Sequence, residues 1–121
     1  MKRILLFLLL SSFLINAQIS YGSNSKVGKR IQVGDISMYY EIYGKGEPLI
    51  LLHGGFGSSE MMGGMIAAFS KKYQVIAVDS RSQGRTTDSD DKELSYAQMA
   101  LDVYGFMDLL HIKKGEICGL E

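Results

Sequence analysis

Cysteine is nearly absent: Cys118 is the single one, so no internal disulfide can staple this fold. Histidine is scarce as well. His53 and His111 stand far apart with no second cysteine near either, so the ligand spacing of a zinc site is missing and no metal is implied. Excess charge of either sign is also missing. Lys and Arg total 13 and Asp and Glu total 13, which leaves no electrostatic basis for gripping nucleic acid or an acidic lipid surface. No apolar run reaches the roughly 20 residues of a membrane helix. The longest, Ile4 to Ile15, is broken by Ser11 and Ser12. Internal repeats and low-complexity tracts do not occur.

What is present begins with that run. Lys2 and Arg3 lead into it, the pattern of an export signal over residues 1–17, with Ala17 as the small residue before a cut at Gln18 and Gly22 as a second possible cut site. An uncleaved anchor is the alternative, weakened because no charge cluster follows to stop transfer. Export to the periplasm or the medium follows, with no stable membrane span after cleavage. Residues 18–28 read as a flexible leader, loose over its Ser/Gly/Asn-rich part from Ser20 to Ser25, with Lys26, Lys29 and Arg30 solvated. Residues 29–121 are then one domain at most.

The domain opens on a β-hairpin: Ile31 and Val33 alternate with polar neighbours, Gly34-Asp35 signals a turn, and Ile36 to Tyr43 is rich in β-branched and aromatic residues. Leu49 to Leu52 is an unbroken apolar stretch, the signature of a central strand covered on both faces. Met61, Met62, Met65, Ile66 and Phe69 recur at helical steps, with Ser58 or Ser59 as cap, while Gly63 and Gly64 predict a short or loose helix. Tyr73 to Val78 is a second buried strand, and a polar loop runs from Ser80 to Glu93. Tyr96, Met99, Ala100, Val103, Phe106, Met107 and Leu110 mark one face of a longer helix, with Ser95 and Gln98 forming a capping box. Lys113-Lys114-Gly115 is its predicted stop. Glu116-Ile117-Cys118 begins a third strand. The order of elements predicts an α/β sheet with parallel crossovers.

His53-Gly54-Gly55-Phe56-Gly57 falls at the carboxyl end of a predicted central strand, the edge where open α/β sheets bind ligands. Glycines let the backbone turn tightly, so the amides of Gly55 and Phe56 can aim at a negatively charged oxygen. A plain strand-to-helix turn is the competing reading. His53 reads as a scaffold histidine, Asp79 and Arg81 as braces hydrogen-bonding neighbouring backbone, and Cys118 as a buried strand residue. The Met61–Met65 cluster reads first as core filling and second as the lining of an apolar pocket.

From about Ile31 to Leu120 the chain resembles the α/β-hydrolase superfamily, in its N-terminal portion only. After the His-Gly-Gly loop such enzymes carry Asp-x-Arg-Gly-x-Gly-x-Ser. Here Asp79-Ser80-Arg81-Ser82-Gln83-Gly84-Arg85-Thr86 keeps the Asp, the Arg and the second Gly, with Thr86 for Ser. Ser82 replaces the first Gly, which a loop tolerates unless φ is positive there. Ser95 to Val103 with Leu109 and Leu110 looks like the helix before the nucleophile strand, and Ile117-Cys118-Gly119-Leu120 like that strand and the start of its elbow. The group is that of esterases, epoxide hydrolases and cofactor-free haloperoxidase-like enzymes.

The resemblance implies acyl transfer to water on an ester or similar small-molecule substrate, with no cofactor. Glu121 occupies the nucleophile position without matching the family's Ser or Asp, and reads as a truncation point that does not function. The acid and base come later in the family's chains, so this polypeptide is expected to be inactive alone. Two alternatives stand beside that reading. One is a non-catalytic fragment or binding module. The other is a dinucleotide-binding βαβ unit with Asp79 as the acidic residue, disfavoured because Glu60 takes the third glycine's place.

Overall fold

The structure is a computed structural model that describes residues 18–89 and 93–120. The predicted signal at 1–17, residues 90–92 of the polar loop, and Glu121 lie outside the described residues.

Two strands open the fold, β1 at Lys29–Val33 and β2 at Ile36–Tyr43, paired antiparallel with Val33 opposite Ile36. Gly34 takes φ +57 in the turn between them, a left-handed geometry that costs glycine little. β3 at Pro48–Leu52 follows, then a 3-10 turn at Ser59–Met62, α1 at Gly63–Phe69 and β4 at Gln74–Val78. α2 at Tyr96–Leu109 and β5 at Glu116–Gly119 complete the order. The sheet runs β1-β2-β4-β3-β5, with β2 antiparallel to β4 and β3 parallel to both β4 and β5. The predicted α/β fold, an antiparallel hairpin followed by parallel strands and crossover helices, is what forms.

Alternation along β3 and β4 splits the core into two layers. Ile50, Ile76 and Val78 face one side with Met38 and Tyr40 of β2 and Phe106 of α2, while Leu49, Leu51, Val75 and Ala77 face the other with Met62 of the 3-10 turn and Ile66 of α1. The two helices therefore cover opposite faces, as the unbroken apolar runs of both strands require.

Three local expectations change. Ser95 caps α2 by accepting from the Gln98 amide at 3.2 Å, but the Gln98 side chain bonds Asp102 at 3.0 Å instead of reaching back to complete the box. Tyr96, on the predicted buried face, is exposed, and Asp102 is buried in that face. α2 stops before the lysines, because His111 adopts φ +57 while its amide bonds the Asp108 carbonyl and the Ile112 amide bonds the Met107 carbonyl. That is a Schellman ending with histidine where glycine is usual.

The segment read as a leader packs on the sheet. Tyr21 packs its ring at a tilt against Tyr43, 4.9 Å between centroids, and the amides of Gly22 and Asn24 each donate to Glu41 at 2.8 Å.

Candidate functional site

Leu52 and Val78 are level in the parallel register of β3 and β4, and Gly119 of β5 is level with Leu52. All three strands thus end at one edge. His53 and Asp79 emerge side by side there, and Leu120 still donates to the Leu52 carbonyl at 3.1 Å. Open α/β sheets hold their ligands at this rim.

His53 is buried and doubly bonded. The Ser80 amide donates to its Nε2 at 3.0 Å, so Nδ1 carries the proton and donates to the Gly54 carbonyl at 2.7 Å. With its acceptor nitrogen committed, His53 is a bracket between two strand ends, as the sequence suggests.

Beyond it, the Gly57 amide closes a turn on the Gly54 carbonyl at 3.2 Å. Gly55 and Phe56 form the exposed crest of that turn, and their amides make no hydrogen bond among the described residues. Phe56 has φ +57 and a fully exposed ring, a geometry that costs a non-glycine residue roughly 1–2 kcal/mol. A Cβ on Gly55 would meet nothing within 4 Å. Space within this chain therefore does not require glycine at 55; any such demand comes from what binds beside it.

Asp79 holds the turn from below. Its Oδ1 accepts from the Ser59 amide and hydroxyl, each at 2.7 Å, and its Oδ2 accepts from the Arg85 amide at 2.8 Å. The helix cap expected from Ser58 or Ser59 is thus supplied by a distant carboxylate, since neither serine caps with its own side chain. Gly84, at φ +55, is needed here, because a Cβ would lie 2.3 Å from Asp79 Oδ2. Thr86 bridges strands, donating its hydroxyl to the Asp79 carbonyl at 2.6 Å and accepting from the Tyr39 amide at 2.9 Å.

Arg81 differs from its expected backbone role. Fully buried, it grips two carboxylates: Asp35 through Nη1 and Nη2 at 3.0 and 2.8 Å, and Asp102 through Nε and Nη2 at 2.8 and 2.7 Å. The bonds to Asp102 and then Asp35 push the guanidinium above its ordinary range, and the Arg81 bond holds Asp35 well below the usual carboxylate range. One side chain ties the β1–β2 turn to α2. Ser82 next to it takes φ +62, so a left-handed conformation does fall on the serine that replaces glycine.

An apolar cavity of about 370 Å³ opens between α2 and the ends of β3 and β5, lined by Leu52, His53, Tyr96, Met99, Ile117 and Leu120 among others. Met61, Met62 and Met65 do not line it; Met62 fills the core and Met61 is exposed. Cys118 is half-buried rather than buried, because β5 has a neighbour on one side only. Among the described residues no cluster of three potential metal ligands occurs, and no helix is long and apolar enough to cross a membrane.

Residues 47–119, more than half of the chain, match the alpha/beta hydrolase fold family. The chain belongs to that family. This hydrolase-fold chain is 36% identical over 77 residues to the 2-hydroxy-6-oxo-6-(2'-aminophenyl)hexa-2,4-dienoic acid hydrolase of Metapseudomonas resinovorans, covering 60% of this chain and 27% of that protein. It is 30% identical over 91 residues to the pyrrolizixenacetamide deacetylase of Xenorhabdus hominickii, covering 74% of this chain and 34% of that one. The solved structure of a mutant meta-cleavage product hydrolase from Pseudomonas fluorescens superposes with TM-score 0.71 at 33% identity, covering 78% of this chain and 36% of that chain. The α/β-hydrolase chain thus spans between 24% and 34% of the length of the curated relatives it matches.

Sequence reasoning overlooked two groups that hold the site together, Asp102 and Glu41. Signals for both exist. Asp102 interrupts the apolar face of α2 between Met99 and Phe106, and Glu41 shares one face of β2 with Tyr39 and Tyr43. An acid in an inward register is a buried, partnered acid by physical necessity.

Proposed function

We propose that this chain forms the oxyanion-binding and strand-edge part of an exported hydrolase that transfers an acyl group from an ester or similar small apolar substrate to water. One observation carries the reading: among the described residues the amides of Gly55 and Phe56 are unpaired, at the rim where β3, β4 and β5 end. Peptide donors fixed before the reaction stabilise the oxygen on which charge develops, without reorganising at the moment of attack. The cavity beside β5 supplies an apolar wall for the substrate. Export rests on the pattern of residues 1–17.

In a complete relative, with serine at the position that Glu121 takes here, the serine hydroxyl attacks the carbonyl carbon, its proton passes to a histidine, and the carbonyl electrons collect on the oxygen facing the Gly55 position. Collapse expels the leaving alcohol, which takes that proton, and water then releases the acid by the same route. His53 does not serve as that base, since its acceptor nitrogen is held by Ser80. The 121-residue chain alone turns over no ester in this reading. The acid hydrolase and the deacetylase among the relatives support a small-molecule substrate.

Two measurements test it. Purified chain with a short-chain nitrophenyl ester gives no rate above a heat-treated control; a rate that survives purification overturns the predicted inactivity. In a longer protein carrying this segment and a serine elbow, Gly55→Pro removes one donor and lowers kcat by about 100-fold. Unchanged turnover refutes the role of Gly55. The open cavity beside β5 favours, as a second reading, a non-catalytic fragment that binds an apolar ligand there.

A further inference from the structure

We propose that Glu41 and Gly22 are positioning residues for the oxyanion turn, acting through Ser59, and that the segment Tyr21–Asn24 is a built-in strap rather than a tether. The assignment of the turn rests on the function proposed above; the strap itself rests on geometry alone.

Glu41 has no exposed surface, yet both of its oxygens are fully occupied. Oε1 accepts from the Asn24 amide and the Tyr39 hydroxyl, and Oε2 from the Gly22 amide and the Tyr43 hydroxyl. Four donors converge on one carboxylate and two of them belong to the strap. Removing the strap would take away two of the four donors that offset the burial of this carboxylate.

The strap then reaches the site through one atom. The Gly22 carbonyl accepts from Arg85 Nη1 at 3.0 Å, and at 3.1 Å it shares with Asp79 Oδ1, at 2.7 Å, the single proton of the Ser59 hydroxyl. Ser59 bonds Asp79 through both its amide and its hydroxyl, and it begins the 3-10 turn that follows residues 54–58. Arg85 lies over the Tyr39 ring at 4.7 Å, closing the ring of contacts back to Glu41. The fit at Gly22 tolerates no side chain. It holds φ +80, and a Cβ would sit 2.1 Å from the Ser59 carbonyl oxygen.

The chain from Glu41 to the turn is therefore continuous: carboxylate, Gly22 peptide, Ser59, Asp79. A seated strap gives the Ser59 hydroxyl a second acceptor beside Asp79. An unseated one leaves Ser59 held by Asp79 alone, free to move with the crest at Gly55 and Phe56. Export processing that removed Gly22, the second cut site in the sequence, would destroy this device; a cut before Gln18 preserves it.

Residue-resolved amide exchange on the chain starting at Gln18 tests the proposal, compared with Glu41→Gln, with Gly22→Ala and with a chain starting at Ser25. The expected result is exchange at least tenfold faster at Gly57 and Ser59 in all three, with the amides of β3 and β4 at their original rates. Adding the peptide of residues 18–25 to the shortened chain restores slow exchange at Ser59. Unchanged exchange at Gly57 and Ser59 in Gly22→Ala overturns the proposal, as does a uniform acceleration across the sheet, which would show a purely global role. Ester turnover is not read here, so a failed oxyanion assignment and a failed strap give separate results.

Discussion

The Ser80 amide donates to Nε2 of His53 at 3.0 Å, so the side chain ending one parallel strand serves as the hydrogen-bond acceptor for the backbone leaving the next. The imidazole thereby joins β3 to β4 where no ladder bond remains. His53→Ala strands that buried amide, at a cost of about 1–3 kcal/mol. Urea denaturation checks the loss, and nitrogen chemical shifts of the wild-type ring should report the Nδ1–H tautomer. An Nε2–H tautomer would contradict the bracket.

Arg81 is the centre of a second junction. Arg81→Met leaves Asp102 buried without its cation, and breaking a buried pair in this way costs about 3–5 kcal/mol. Adding Asp102→Leu removes the stranded charge and recovers much of the loss. Equal stability of single and double variants in denaturant melts would show that Asp102 is not held by Arg81.

Alkaline pH probes the Glu41 cluster. Burial first, and then the bond to Glu41, push Tyr39 up to about 12, above the ordinary phenol value of about 10. A raised folded-state value means the folded chain keeps the proton longer, so this stabilisation is complete below about pH 10 and fades as pH climbs towards 12. Thermal melts across that window should fall more steeply for wild type than for Tyr39→Phe. Parallel slopes would sink the assignment.

Asp35 gives the opposite sign. Its carboxyl is held below the usual range by Arg81, so the stabilisation is present above the unfolded value of about 3.9 and is lost on further acidification. Asp35→Asn should flatten the acid limb of the stability profile below about pH 4. A profile unchanged from wild type would contradict it.

His111 offers a gain. It occupies the left-handed position of a Schellman ending with φ +57, and glycine there relieves roughly 1 kcal/mol of strain. His111→Gly should raise Tm by several degrees. A lowered Tm would mean that the imidazole makes a contact worth more than the strain.

The order of strands and helices, the hairpin and the carboxyl-edge position of His53 to Gly57 were legible because each depends on local periodicity or turn chemistry. Leu49 to Leu52 and Val75 to Val78 are apolar without interruption, which only a strand covered on both faces explains. The stop of α2 was not legible: Lys113-Lys114-Gly115 carries the usual signals, whereas the chain turns earlier, through a positive φ on His111, with Ile112 packed against the core.

By itself, the sequence determined the fold class, the family and the strand edge that carries His53 to Gly57, since these follow from patterns of neighbouring residues. Tertiary structure alone decided the partners through which that edge is braced. The partners of Arg81 lie 46 and 21 residues away in the chain, and Gly22 meets Ser59 across 37 residues. Hydrogen bonds over such separations depend on where folded elements come to rest, and no local pattern encodes the distance between two atoms that the chain brings together only at the end.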